Sequence, residues 1–364
     1  MTHSERFQKI FHFQKPDRIP CYYFGIWGET KERWLKEGLT DDPETYFPQL
    51  PGMDPDWESG CWDVHGLVRT GPIGDIETCI LQDMDDRRIV RSSIGEEYLE
   101  RKNGSSIPHT LVYPLKPTRE SWNHFKKFLE DKPERHPADL SQKAKELESK
   151  DRVLTFVGGS LYGWLRGWMG VENVSYLMYD DPVLMEEMVC AVTDHFIELM
   201  RPVLKFAKFD FVYIFEDCCG SSGPLFSPLK YSEIFDTHYK RLLRFYKEQG
   251  VPLALIDSDG WSEDLIPSWR NSGFDIFFPI EVGKWNADPI DLRKKFGNDL
   301  RFFGAVDKNL IYGETEVLRA HLLNLKSAVA EGGFIPIPDH RIPPHVSYDQ
   351  MLKYIDMFHE IFNR

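Results

Sequence analysis

Residues Val251–Gly260, "VPLALIDSDG", set a buried apolar run against two acids placed one residue apart. The run has the length and bulk of a strand enclosed on both faces, and the turn-forming "DSDG" marks its end. The same pattern recurs through the second half of the chain. Val153–Val157 "VLTFV", Asp210–Phe215 "DFVYIF", Pro252–Ile256 "PLALI", Asp275–Pro279 "DIFFP", Arg301–Ala305 "RFFGA" and Gly333–Ile337 "GFIPI" all read as strands. Longer amphipathic stretches separate them. Asp181-Pro182 opens one such helix and Ser227-Pro228 another, each with a capping residue and a proline at the first helical position.

Strands that alternate with helices cannot pair as hairpins, so they build a parallel sheet with its helices outside. An open dinucleotide-binding sheet would carry a GxGxxG turn after its first strand, and Gly158–Gly163 "GGSLYG" lacks that spacing. NAD is therefore not expected. With Arg18–Phe24 "RIPCYYF" as a first strand the count is seven, the eighth being irregular, and the expected fold is a (β/α)8 barrel. Residues 41–116 break the rhythm with alternating apolar and charged positions, which predicts an antiparallel insertion on the early barrel. No low-complexity linker sets it apart, so residues 1–364 are read as one domain.

The composition narrows the function. Lys+Arg number 44 against 58 Asp+Glu, a formal charge of −14, which disfavours nucleic acid and anionic membrane as partners. No window approaches the ~18–20 apolar residues of a membrane span, and the opening "MTHSERFQKIFHFQ" has no signal-peptide core, so a soluble cytoplasmic protein is expected. The six cysteines form no CxxC and read as free thiols.

In a barrel the working face lies at the C-terminal ends of the strands. Read at those positions only, the chain presents Glu216, Asp217, Asp257, Asp259, Glu281, Asp307, Asp339 and His340. Gathered acids need protonation, a cation or a metal. Oxygen donors with one imidazole suit zinc or another divalent ion, so Asp257, Asp259, Glu281 and His340 form the expected metal set. Asp257, Asp259, His340, Glu216 and Asp217 are the expected catalytic groups. Tyr162, Trp164 and Arg166, in "GGSLYGWLRGWMG", with Trp27 are the expected substrate-binding residues, Arg166 serving an anionic group. The competing reading for each acid is a helix cap, and for Asp307 the two weigh equally. Cys218-Cys219 is the remaining soft-ligand candidate.

These segments resemble the uroporphyrinogen decarboxylase family, which includes corrinoid-linked methyltransferases on a (β/α)8 barrel. The resemblance runs through "RFQKIFHFQKPDRIP", "YLMYDDPVLMEEM", "GPLFSPLKYSEIF", "IDSDGWSEDLIPSWRNSGFDIFFPIEV" and "GGFIPIPDHRIPPHVSYDQM". True decarboxylases of this family carry an arginine-rich segment of RQAGRY type after the first strand, where this chain has Phe24–Arg33 "FGIWGETKER". The methyltransferase branch uses His-x-Cys and a later Cys for zinc, where this chain has Asp257-Ser258-Asp259 and Asp339-His340. The resemblance thus implies methyl transfer between a small donor, a methoxylated aromatic or a related methyl donor, and a corrinoid supplied by a partner protein, since no corrinoid-binding DxHxxG segment is present. The expected partners are a small molecule, a corrinoid protein and a second copy in a homodimer; haem is not expected. The alternatives are uroporphyrinogen or other small-molecule decarboxylation, and a non-catalytic binding barrel.

Overall fold

A computed structural model of the chain describes residues 1–40, 47–102, 107–283 and 287–364. An antiparallel sheet comes first, in the order β1 (Cys79–Asp83), β2 (Arg87–Arg91), β3 (Glu97–Arg101) and β4 (His109–Val112). It occupies the expected insertion. The remaining strands are β5 (Thr155–Val157), β6 (Phe211–Phe215), the two-residue pair β7 (Cys219–Gly220) and β8 (Gly223–Pro224), β9 (Ala254–Asp257), β10 (Ile276–Ile280), β11 (Arg301–Val306) and β12 (Phe334–Pro338). β12, β11, β10, β9, β6 and β5 form one sheet in that order, every pair parallel. These are the six strands expected from the sequence, shifted by at most two residues. Their register aligns Phe215 with Asp257 and Asp257 with Phe278, so the acids that follow the strands share one end of the sheet.

Two positions complete the (β/α)8 barrel without regular strands. Arg18–Phe24 is extended but joins no ladder, unlike the strand expected there. Its donors are committed elsewhere: Pro20 has no N–H, and the Cys21 amide donates to Asp54 Oδ2 at 2.9 Å. Closure instead uses single contacts. Ile26 bridges Ile342, the Asp54 amide donates to the Cys21 carbonyl at 2.9 Å, and the Val157 amide donates to the Cys61 carbonyl at 2.9 Å. Residues 54–61 thus stand in the second position. They turn on themselves, the Glu58 amide donating to Asp56 Oδ1 at 2.9 Å.

The barrel interior is filled by aromatic rings. Trp57 lies 5.0 Å from Phe303, 5.6 Å from Phe278 and 6.0 Å from Tyr213 by ring centroids. At the opposite end the helix His3–Phe11 inserts Phe7 against Phe211, 5.0 Å apart. Much of the aromatic content is therefore packing, and it gives the mouth a solid floor. Among the described residues no helix is long and apolar enough to cross a membrane.

Candidate active site

The mouth is built on the ends of β6, β9 and β12 and on the two irregular positions. β6 runs into Glu216, which is wholly buried. Its carboxylate accepts from Ser160 Oγ at 2.6 Å, from the Gly163 amide at 2.9 Å, from the Tyr162 amide and from the Tyr239 hydroxyl. The amides are the free N–H groups opening the helix Leu161–Met169, so the acid ties that helix to the strand. Gly163 makes the close seat possible, since a Cβ there would lie 2.8 Å from the Phe215 carbonyl oxygen and 2.9 Å from that of Glu216. Burial pushes the Glu216 carboxyl up while these donors oppose the shift. Glu216 was expected among the catalytic groups. Its hydrogen-bonding capacity is instead taken up by the scaffold.

Asp257, ending β9, is equally buried but differently supplied. The Tyr213 hydroxyl donates to Oδ2, while Oδ1 has no partner. Burial raises its pKa well above the usual carboxylate range, the Asp259 charge adds to the effect, and the Tyr213 bond opposes it. A buried carboxyl with one hydrogen bond and acidic neighbours is held in its neutral form. After it the chain turns at Gly260, φ +85°, where a Cβ would lie 2.7 Å from the Gly220 carbonyl oxygen. The opening motif therefore needs its glycine for a close backbone approach.

Asp259 Oδ2 faces His340 Nε2 at 3.4 Å, and the His340 ring stacks on Trp27 with centroids 5.8 Å apart. Asp217, at a left-handed φ of +42°, pairs with Arg166 Nη1 at 2.7 Å. Its pKa is raised by burial, with Arg166 opposing. Tyr162 is buried with an unpartnered hydroxyl; Trp164 packs on Phe196, centroids 4.5 Å apart, and is a scaffold ring, not the pocket wall expected from its sequence position.

The expected four-ligand metal set does not assemble. Glu281 Oε2 accepts from the Gly260 amide at 2.7 Å and Oε1 faces Lys308 Nζ at 4.0 Å. Among the described residues no three His, Cys, Asp or Glu side chains converge as a ligand cluster. Asp339 accepts from the Val282 amide at 3.0 Å and holds a loop, and Asp307 caps the turn after β11 through the Asn309 amide at 2.8 Å. Cys218 is buried beside Ser258, and burial pushes its thiol well up, as befits an inert packing residue.

Four residues of the mouth escaped the strand-end reading. Tyr213 sits mid-strand, a polar tip in an apolar run. Glu58 lies on the irregular second position and Trp62 just beyond it, Trp62 Nε1 donating to Glu58 Oε1 at 3.0 Å. Burial pushes the Glu58 carboxyl up to about 7, with the Arg341 charge opposing. Arg341 follows His340 directly. The signals were "DWESG", where a second strand should end, and the cation in "PDHR".

A family model described as uroporphyrinogen decarboxylase matches residues 143–361. The uroporphyrinogen decarboxylase of Crocosphaera subtropica is 21% identical over 204 residues, 54% of each chain. That of Ruthia magnifica is 23% identical over 235 residues, 60% of this chain and 63% of its own. The chain thus spans between half and two thirds of the length of these curated relatives. Among solved structures, a methyltransferase from Methanosarcina mazei covers 99% of both chains with a TM-score of 0.60 at 11% identity, which is a likeness of fold.

Proposed function

The chain belongs to the uroporphyrinogen decarboxylase family, and on that premise we propose that it moves a methyl group from a small methoxylated aromatic to a corrinoid carried by a separate protein. The observation that carries the reading is Asp257, a buried acid with one oxygen uncommitted, whose pKa burial pushes well up. Cleaving an aryl methyl ether leaves the bonding electron pair on oxygen, and a phenolate is a poor leaving group until it is protonated. Asp257 supplies that proton as a general acid. The methyl group departs as the C–O bond breaks, and the phenol carries the proton away. Asp259 and His340, open to solvent on the other side, return a proton to Asp257. Tyr213 keeps the carboxyl oriented throughout.

The corrinoid, when bound, supplies the electron pair that accepts the methyl group. Trp62, Leu225 and Trp261, exposed on segments that follow the strands, are the apolar side chains that would meet it. The thiolate zinc site of the methyltransferase branch does not fit the donor set present, which offers Asp257, Asp259 and His340 in place of thiolates. Uroporphyrinogen decarboxylation fits less well, because its octacarboxylate needs a cationic lining. Arg33, the one arginine in the segment replacing RQAGRY, is turned to Glu37 at 2.7 Å and to the Pro344 and His345 carbonyls.

The test is incubation with a methoxylated benzoate and a reduced corrinoid protein, following phenol release. The parent should release phenol and the Asp257→Asn variant should not. Carbon dioxide release from uroporphyrinogen, without phenol from the ether, would overturn the proposal.

A further inference from the structure

Arg341 is held unlike the other buried or half-buried arginines of the chain. Arg18 meets Asp54 through two hydrogen bonds of 2.7 and 2.6 Å, and Arg166 meets Asp217 at 2.7 Å. Arg341 lies across the rings of Phe47 at 4.9 Å, Phe24 at 5.5 Å and Trp27 at 5.8 Å. Among the described residues its guanidinium donates no hydrogen bond, and its nearest acid, Glu58 Oε1, stands 3.7 Å away. That oxygen already accepts from Trp62, while Glu58 Oε2 is buried without a partner. The cation is therefore positioned by stacking, with its planar fork unspent, and it is 22% exposed at the mouth.

We propose that Arg341, backed by Glu58, is the subsite for a carboxylate on the substrate, so that the methoxylated donor is an aromatic acid. The inference rests on the methyl-transfer reading for the identity of the donor, but not for the subsite itself. A guanidinium fork matches a carboxylate edge with two parallel hydrogen bonds. A dianion is disfavoured by the acids around it, Glu58, Asp257 and Asp259, so a singly charged planar group is the better occupant. Trp27, packed against both Arg341 and His340, links the carboxylate end to the Asp259–His340 pair.

Glu58 then has a second duty. It is faced by Arg341, Trp62 and Asp56, and it lies close enough to Asp257, Tyr213 and Cys61 for its charge to influence them. When a ligand carboxylate takes the Arg341 charge, Glu58 loses the cation that favoured its ionised form. It takes up a proton, and binding of the acid weakens as the pH rises.

Calorimetry on the full chain tests this with para-methoxybenzoate and its neutral twin para-methoxybenzyl alcohol, in two buffers of different ionisation enthalpy. The parent should bind the acid at least about tenfold more tightly than the alcohol, a ratio set by one charge-assisted bidentate pair. Arg341→Met keeps the apolar stack and should lose that preference while binding the alcohol unchanged. Arg341→Lys, with charge but no fork, should fall between them. Proton uptake on binding the acid should vanish in Glu58→Gln. Equal affinity of the parent for both ligands, or parental affinity for the acid in Arg341→Met, overturns the subsite. Acid binding without phenol release would sink methyl transfer and leave the subsite standing; phenol release from the alcohol as fast as from the acid would do the reverse.

Discussion

Glu216 and Asp257 stand at the ends of adjacent strands, β6 and β9, both carboxyls shut away from water. Glu216 is surrounded by donors from a helix start and three side chains; Asp257 receives one hydroxyl and keeps an oxygen in reserve. The same residue chemistry in the same place meets opposite surroundings. A buried acid with its lone pairs filled is an anchor, whereas one left partly unfilled at an open barrel end stays available to a ligand.

The sharpest way to break this contrast is at Asp257. Asn keeps its shape and neutrality but carries no acidic proton, so phenol release should fall by roughly 10²–10⁴-fold with little change in the urea midpoint. Activity in the parent should decline toward high pH as the raised carboxyl finally ionises. Retained turnover in the Asn variant removes Asp257 as the acid.

Glu216→Ala should show the complementary loss. Several buried donors are stranded at once, and unfolding should become easier by roughly 3 kcal/mol or more in urea titration. A variant as stable as the parent would mean that the donors find other partners.

Glu58 gives a pH-resolved effect. Its folded pKa of about 7 lies above the ordinary glutamate value of 4.5, so its contribution is fully present below the unfolded pKa and is lost as the pH rises through 7. The loss is on the order of 3 kcal/mol across that window, and Glu58→Gln should flatten it. Parallel stability profiles for parent and variant would contradict the burial argument.

Glu281→Gln should matter least. The amide oxygen can still accept from Gly260, so stability and rate should each change by less than about 1 kcal/mol equivalent. A large loss of activity would return Glu281 to the centre.

The barrel was legible because each apolar run is short, punctuated and separated by helix-length sequence, and all six recur as strands. Strand ends in turn located the acids and His340. What sequence could not say is which acids are satisfied. The partners of Glu216 lie 15 to 56 residues away and two of them are backbone amides, which no residue pattern encodes. Glu58 and Arg341 were missed for a related reason: one sits on a stave with no strand signal, the other one place beyond a histidine that drew the attention.

The two staves without ladders, Arg18–Ile26 and residues 54–61, bear on how the mouth is framed. Phe24 and Glu58 lie on them, with Trp27 and Trp62 just beyond, so the parts that frame a ligand belong to backbone tied by single contacts. The acids Asp257 and Glu216 hang from a continuous parallel ladder. Insertions and substitutions on the loose staves alter the frame without unzipping strands, as loops do on any rigid scaffold. Substitutions on the loose staves would therefore reshape the rim around a ligand while the strand-borne acids Asp257 and Glu216 stay where the ladder holds them.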